Sequence, residues 1–206
     1  MNNLKGSDLD YALVASYIPE VMNSLYNPDA FSSTSLTEIR DAFRVKQMQG
    51  KTWLLDGLKN YCPDKTVPVL VIGSWFGFTS FCLWKLGFTN ITEVDPDGRL
   101  TIFAKHLNRF NKQFKHVTAD VNDINLNDYA LIINPSSEHI INNTWFNSIG
   151  TGSLVILHST NMPAEDHTNL CDNVEEMQLK YPLDILYAGT LDLAQYKRFM
   201  LIGYKF

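Results

Sequence analysis

At 206 residues the chain has room for one sizeable α/β domain with an N-terminal addition, and too little for two independent cores. Its 45% hydrophobic and 19% charged residues exclude disorder as the default state, since 12 Phe, 9 Tyr and 4 Trp can anchor a substantial core. A formal charge of −5 argues against gripping duplex DNA through a broad basic face, and no window is apolar enough to span a membrane. The N-terminal stretch MNNLKGSDLDYALV lacks a basic segment followed by a long apolar one, so a cytoplasmic location is expected. Cys62, Cys82 and Cys171 have no CxxC spacing, which predicts plain reduced thiols and no metal cluster.

Tyr11 to Leu25 carries apolar residues at helical spacing, among them Tyr17, Val21 and Met22, with Pro19 inside the pattern. Turn-forming residues fill 27–35. Thr37 or Ser35 can cap a helix bearing Ile39, Phe43, Val45 and Met48, and Trp53, Leu54, Leu55, Leu58 and Tyr61 form a second helical face. Gly50 stands between these faces and reads as a break. The pattern predicts a helical extension over 1–62 packed on an α/β domain over 63–206.

The run Val67 to Ile72 is apolar and β-branched, as a strand buried on both faces should be. It breaks at Gly73-Ser74-Trp75-Phe76-Gly77 and resumes as a helix-like run, Phe78 to Leu86. A strand, a glycine turn and a helix leave backbone N–H groups free where open α/β sheets bind nucleotide-like ligands. A second strand, Ile91 to Asp95, ends in an acidic cluster. Asp95 lies 22 positions after Gly73, about the separation at which a carboxylate meets ribose hydroxyls in such folds. The helix over 98–111 turns Leu100, Phe103, Ala104, Leu107 and Phe110 inward and has a basic outer face with Lys105 and Arg109, which keeps RNA open as a partner.

A short third strand ends in Asp120, next to Val121, and a continuous apolar fourth, Asp128 to Ile133, opens into Asn134-Pro135-Ser136-Ser137-Glu138-His139. A helix carrying Ile140, Ile141, Trp145 and Phe146 follows. Ser153 to Leu157 reads as a fifth strand leading into a polar loop at His158, and Glu165-Asp166-His167 as the start of a helix running to about Tyr181. Leu183 to Gly189 and Phe199 to Tyr204 read as two antiparallel edge strands.

The glycine turn, the acids Asp95 and Asp120 and the Asn-Pro motif, in this order over about 67–206, resemble the class I S-adenosylmethionine-dependent methyltransferases. The pair GSWFG and NPSSEH also resembles a group of phage and marine bacterial methyltransferase-like proteins. The resemblance implies a Rossmann-like three-layer sandwich with a seven-stranded, mostly parallel sheet whose last strand is antiparallel. It implies S-adenosylmethionine as cofactor. Gly73, Ser74, Trp75 and Gly77 would border the methionine part, Asp95 would bind the ribose, and Asp120 or Val121 would meet the adenine. Asn134, similar to the asparagine of the Asn/Asp-Pro-Pro-aromatic motif of amino-methylating members, would lie beside both cofactor and acceptor.

Trp75 stands where the family carries its middle glycine, so the direction of its ring decides whether the pocket is open. A filled pocket would suit a catalytically inactive, adenosyl-cofactor-binding protein. Aminopropyl transfer or cofactor cleavage is the other alternative to methyl transfer onto nitrogen or oxygen. Candidate catalytic residues are Asn134, Ser136, Glu138, His139 and His158, with His167 a further imidazole, because imidazole titrates near neutrality and can accept a proton. Asn134 can also cap the turn that follows it. No GxSxG elbow and no GxxxxGK[ST] loop occurs, which leaves hydrolase and P-loop chemistry without support. The acceptor and the oligomeric state leave no mark on the sequence.

Overall fold

A computed structural model describes residues 11–24, 36–42 and 44–206. The expected turn over 27–35, the Ser35 cap and Phe43 lie outside them. The helices are α1 (Tyr11–Ser24), α2 (Leu36–Ala42), α3 (Val45–Tyr61), α4 (Phe78–Lys85), α5 (Thr101–Leu107), α6 (Thr144–Asn147) and α7 (Val174–Lys180). The strands are β1 (Val69–Ile72), β2 (Ile91–Asp95), β3 (Lys115–Thr118), β4 (Leu131–Asn134), β5 (Leu154–Thr160), β6 (Asp184–Asp192) and β7 (Lys197–Tyr204).

The strands form one seven-stranded sheet in the order β3-β2-β1-β4-β5-β7-β6. Strands β1 to β5 pair in parallel, and β7 runs antiparallel to both β5 and β6. The order reverses between β1 and β4. A crevice opens at such a point at the carboxyl ends of the strands, because the connections on either side leave in opposite directions.

Burial explains the two apolar faces. On one face Val69, Val71, Ile133 and Ile156 pack against Trp53, Phe78, Phe81 and Tyr17, so α1 and α3 share the core of the sheet. Leu70, Ile132, Val155 and Leu201 pack on the other face against Trp145, Phe146 and Tyr181. A fully buried aromatic of this kind contributes about 3–5 kcal/mol against truncation to alanine. The Tyr17 hydroxyl, buried, donates to the Phe76 carbonyl at 2.9 Å and ties α1 to the glycine turn.

Several elements differ from the sequence reading. Helix α3 runs straight through Gly50, because a glycine costs a helix only about 1 kcal/mol and here its missing side chain is used. A Cβ at Gly50 would stand 2.8 Å from Cδ of Arg198. Residues 161–173 are irregular where a helix from Glu165 was expected. Their backbone donors pair elsewhere: Thr168 and Asn169 N–H with the Glu138 carbonyl at 2.9 and 3.0 Å, and Cys171 N–H with Thr160 O at 3.2 Å. After a 3-10 turn over Ser137–His139, only Thr144–Asn147 of the segment after the Asn-Pro motif is α-helical, and Ile141 is exposed. Strand β5 extends to Thr160, which places His158 in the sheet instead of a loop. Helix α5 ends at Leu107, so Phe110 beyond it is exposed instead of buried, and the basic stripe is partly spent, since Arg109 pairs with Glu20 of α1 at 2.9 Å.

Candidate functional site

Three residues of the turn after β1 have positive φ: Gly73 (62°), Trp75 (52°) and Gly77 (73°). Alternating left-handed residues let the chain reverse within five positions and enter α4 at Gly77. At Gly77 space is also short, since a Cβ would meet Leu107 Cδ1 at 3.2 Å. Trp75 holds a conformation costing a non-glycine residue about 1–2 kcal/mol. Its ring lies 5.4 Å from that of Phe76, and the Lys51 ammonium sits 5.3 Å from its centroid. The indole therefore packs on the core as one wall of the cleft and leaves the cleft open. Burial and the Arg198 guanidinium pull the Lys51 ammonium down to about 8.

Beyond this turn a cleft of about 710 Å³ runs along the carboxyl ends of β1, β2 and β4. Its first end is lined by Gly73, Trp75, Asp95, Asp97, Leu100, Asp120 and Val121. Asp95, 7% exposed at the end of β2, accepts from the Asp97 N–H at 3.0 Å and the Trp75 N–H at 3.4 Å. Each carboxylate oxygen keeps a lone-pair direction for a ligand. Burial pushes the Asp95 carboxyl above its ordinary value, against the pull of those two N–H groups. Its neighbours are occupied. Asp97 is bound by Arg99, which holds its carboxyl below the usual range, and Glu93 is buried within β2 against Ser80 (2.6 Å) and His116 (3.3 Å). Exposed Asp120 accepts from the Asn122 N–H at 2.8 Å and so caps the short turn that presents Val121.

The other end is lined by Asn134, Ser136, His139, Ile140, Met162, Asp166 and His167. Asn134, 1% exposed at the end of β4, accepts the Ser136 N–H on Oδ1 at 3.0 Å, while its Nδ2 has no hydrogen-bond partner. The cap and the site are one arrangement: the backbone turn takes the oxygen, and a buried donor is left over at the cleft. His139 Nδ1 lies 3.1 Å from Asp166 Oδ2, and the imidazoles of His139 and His167 meet edge to face at 4.7 Å. Helix α2, the Arg44 cap and α3 supply a wall with Glu38, Asp41, Arg44 and Gln47; of these only Gln47, in the polar stretch beside Gly50, had a signal in the sequence.

Of the expected cofactor residues, Gly73, Trp75, Asp95, Asp120, Val121 and Asn134 line the cleft, whereas Ser74 is buried beside it and Gly77 shapes the turn from behind. Of the expected catalytic residues, Asn134, Ser136 and His139 line it. Glu138 is buried below His139, with Oε1 3.5 Å from Arg198 Nη1. His158 is 1% exposed on β5, against Trp53 (5.2 Å between rings) and Met200 Sδ (3.2 Å), and does not line the cleft. Burial and then the Arg198 charge drive its imidazole well below the ordinary value, so it stays neutral. The position beside the cleft belongs to His167, which the irregular 161–173 segment brings across to His139.

No family model and no curated protein matches this sequence. Solved structures do match its shape. Magnesium protoporphyrin IX methyltransferase (ChlM) from Synechocystis PCC 6803, solved with bound SAH, is 12% identical over 84% of this chain and 88% of its own, with a TM-score of 0.62. N-methyltransferase NodS from Bradyrhizobium japonicum WM9 is 13% identical over 80% and 98%, with a TM-score of 0.60. TehB from Haemophilus influenzae is 16% identical over 74% of this chain, with a TM-score of 0.58, and this chain spans 61% of TehB. No helix among the described residues is long and apolar enough to cross a membrane. At these identities the likeness speaks for the architecture, and the chain has the Rossmann-like fold of the class I S-adenosylmethionine-dependent methyltransferases.

Proposed function

We propose that the chain binds S-adenosylmethionine and transfers its methyl group to a nitrogen or oxygen nucleophile of an acceptor. The observation that carries this reading is the continuity of the cleft: it joins the Asp95 carboxylate to the unpartnered Asn134 amide across the mouth of β1. A cleft of about 710 Å³ lies within the range of roughly 300–1,000 Å³ typical of small-molecule sites. Its lining suits the cofactor. Among the described lining residues six are acidic and Arg44 alone is a lysine or arginine. Glu38 and Asp97 are paired with Arg99 and Asp41 with Arg44, so Asp95, Asp120 and Asp166 carry the field, which favours a ligand of net positive charge over a phosphate backbone. Small acceptors fit that field better than nucleic acid.

When bound, the cofactor supplies a methyl carbon activated by a sulfonium. The chain's own part is placement. Asp95 would accept from the two ribose hydroxyls, Val121 and Leu100 would cover the adenine with Asp120 at its edge, and Gly73 would let the backbone approach the methionine portion. Asn134 and Ser136 would orient the acceptor, with His139 beside them. Orientation and water exclusion within such a cleft are the main contributions a protein makes when no difficult proton transfer is required. The packing of Trp75 on Phe76 and Lys51 removes the reason to favour an inactive protein with a filled pocket.

Calorimetric titration with S-adenosylmethionine and S-adenosylhomocysteine tests the reading. One site of micromolar affinity is expected, and the absence of heat or thermal shift at millimolar ligand would sink it. Mass spectrometry of the cofactor products then separates methyl transfer from aminopropyl transfer or cleavage.

A further inference from the structure

We infer that Glu138, His139 and His167 form a binding site for one divalent first-row transition ion at the Asn134 end of the cleft. One ligand atom from each lies within 4.8 Å of the others. His167 Nδ1 is 2.6 Å from the Met162 carbonyl, which fixes the proton there and leaves Nε2 with a free lone pair. His139 is oriented in the same way, its Nδ1 turned to Asp166 Oδ2 at 3.1 Å. An imidazole whose second nitrogen donates to a carbonyl or carboxylate is the arrangement that surrounds metal-bound histidine.

A second, independent observation comes from the carboxylate. Glu138 is 1% exposed, its Oε1 is shared with Arg198 at 3.5 Å, and its Oε2 has no partner at all. A bare carboxylate oxygen buried in a fold is costly, and a cation held between it and the two imidazoles would satisfy it. The ligands are also held together: the Glu138 carbonyl accepts the Thr168 and Asn169 N–H groups at 2.9 and 3.0 Å, so the 138–139 corner and the His167 loop form one clamp. His139 and His167 stand 28 positions apart, which is why no ligand spacing is visible in the sequence.

Two imidazole nitrogens and one carboxylate oxygen suit Zn²⁺, Mn²⁺, Fe²⁺ or Co²⁺ better than Mg²⁺ or Ca²⁺, which prefer oxygen donors throughout. Three protein ligands leave at least one coordination position open, and since His139 and His167 line the cleft, it faces the same space as Asn134 Nδ2. A Lewis acid and an amide donor facing one point both favour a ligand oxygen bearing negative charge. Resting on the methyl-transfer reading, this makes the acceptor a hydroxyl compound, and His139 serves the ion instead of taking a proton.

The test is titration of the untagged full chain, stripped with a chelator and free of cofactor, with Mn²⁺ and separately with Zn²⁺. One ion per chain is expected, bound at least about tenfold more weakly by His167→Ala and by His139→Ala, since even second-shell losses at such sites cost about 10–100-fold. His106→Ala, on α5, should bind as the parent does. His139 is a partly exposed side chain, so its variant keeps the test independent of the buried Glu138. Bound Mn²⁺ should enhance water-proton relaxation through its open position, and acetohydroxamate should lower that enhancement by displacing the water. Stoichiometric binding by neither ion, equal weakening by His106→Ala and His167→Ala, or no relaxation enhancement would each overturn the inference. A parallel titration of the metal-free chain with S-adenosylhomocysteine separates the two proposals: cofactor binding without metal binding overturns only the ion site, and metal binding without cofactor binding overturns only the methyl-transfer reading.

Discussion

At the Asp95 end of the cleft most of the polar contacts that shape the site lie within a turn or between the adjacent β1 and β2 units: Gly73 to Val94, Trp75 to Asp95, Asp97 to Asp95 and Asn122 to Asp120. The Asn134 end is assembled from distant segments. There Arg198 of β7 lies between Gln47 of α3 (3.1 Å), the Pro135 carbonyl and Glu138, while Thr168 and Asn169 hold the corner from the other side. The first end is built mainly within neighbouring strand and turn units, with Tyr17 of α1 fastened to the glycine turn, and its groups are mostly satisfied. The second leaves Asn134 Nδ2 and Glu138 Oε2 without partners, which is what a site for something outside the chain looks like.

Removing the central charge of the Asn134 end should have the largest effect. Arg198→Met keeps the volume but strands the buried Glu138 carboxylate, and loss of one member of such a pair costs about 3–5 kcal/mol in urea unfolding. Affinity of the folded protein for S-adenosylhomocysteine should change by only a few fold. A parallel collapse of affinity would show that the two ends are one unit and break the comparison. Next comes Asp95→Ala, which deletes the acceptor of both ribose hydroxyls. We expect about a hundredfold weaker cofactor binding by calorimetry, since hydrogen bonds to a charged group are worth about 1.5–3 kcal/mol each. Urea stability should not fall with it, because the Asp95 carboxyl is held above its ordinary value and its ionised form gains little from the fold.

His158 gives a pH-dependent version of the same contrast. Its folded-state value is driven below the unfolded one, so below about pH 6.5 the unfolded chain takes up a proton that the folded chain refuses. Stability is then lost as pH falls from that point, by about 1.4 kcal/mol per unit, and is fully present above it. His158→Leu should flatten that slope between pH 6.5 and 5 when unfolding is followed by urea at several pH values; an unchanged slope would mean that another group carries the titration. The smallest expected effect is Gly73→Ala. Its φ of 62° costs a side chain about 1–2 kcal/mol although no atom lies within 4 Å of the added Cβ. A fall of a few degrees in melting temperature is expected, and no fall would show that the turn relaxes freely.

The sequence by itself determined the framework. Apolar β-branched runs at the spacing of α/β units predict parallel strands, and Gly73, Asp95 and Asp120 follow those strands at positions set by the chain. The strands and the place of Gly73, Asp95 and Asp120 at the Asp95 end of the cleft were therefore legible from local pattern, the seven-stranded sheet with an antiparallel last strand came from the family resemblance, and the strand order came from the structure. Only the tertiary structure decided which polar residues meet. Gly50 reads as a helix break until Arg198 is seen packed on it, His158 reads as a rim residue until β5 extends through it, and His167 reads as a helix start until its loop folds onto Glu138. The physical reason is the same in each case. A strand or a glycine turn is specified by a handful of consecutive residues, whereas the partner of a buried side chain is chosen by which segments the sheet order brings side by side.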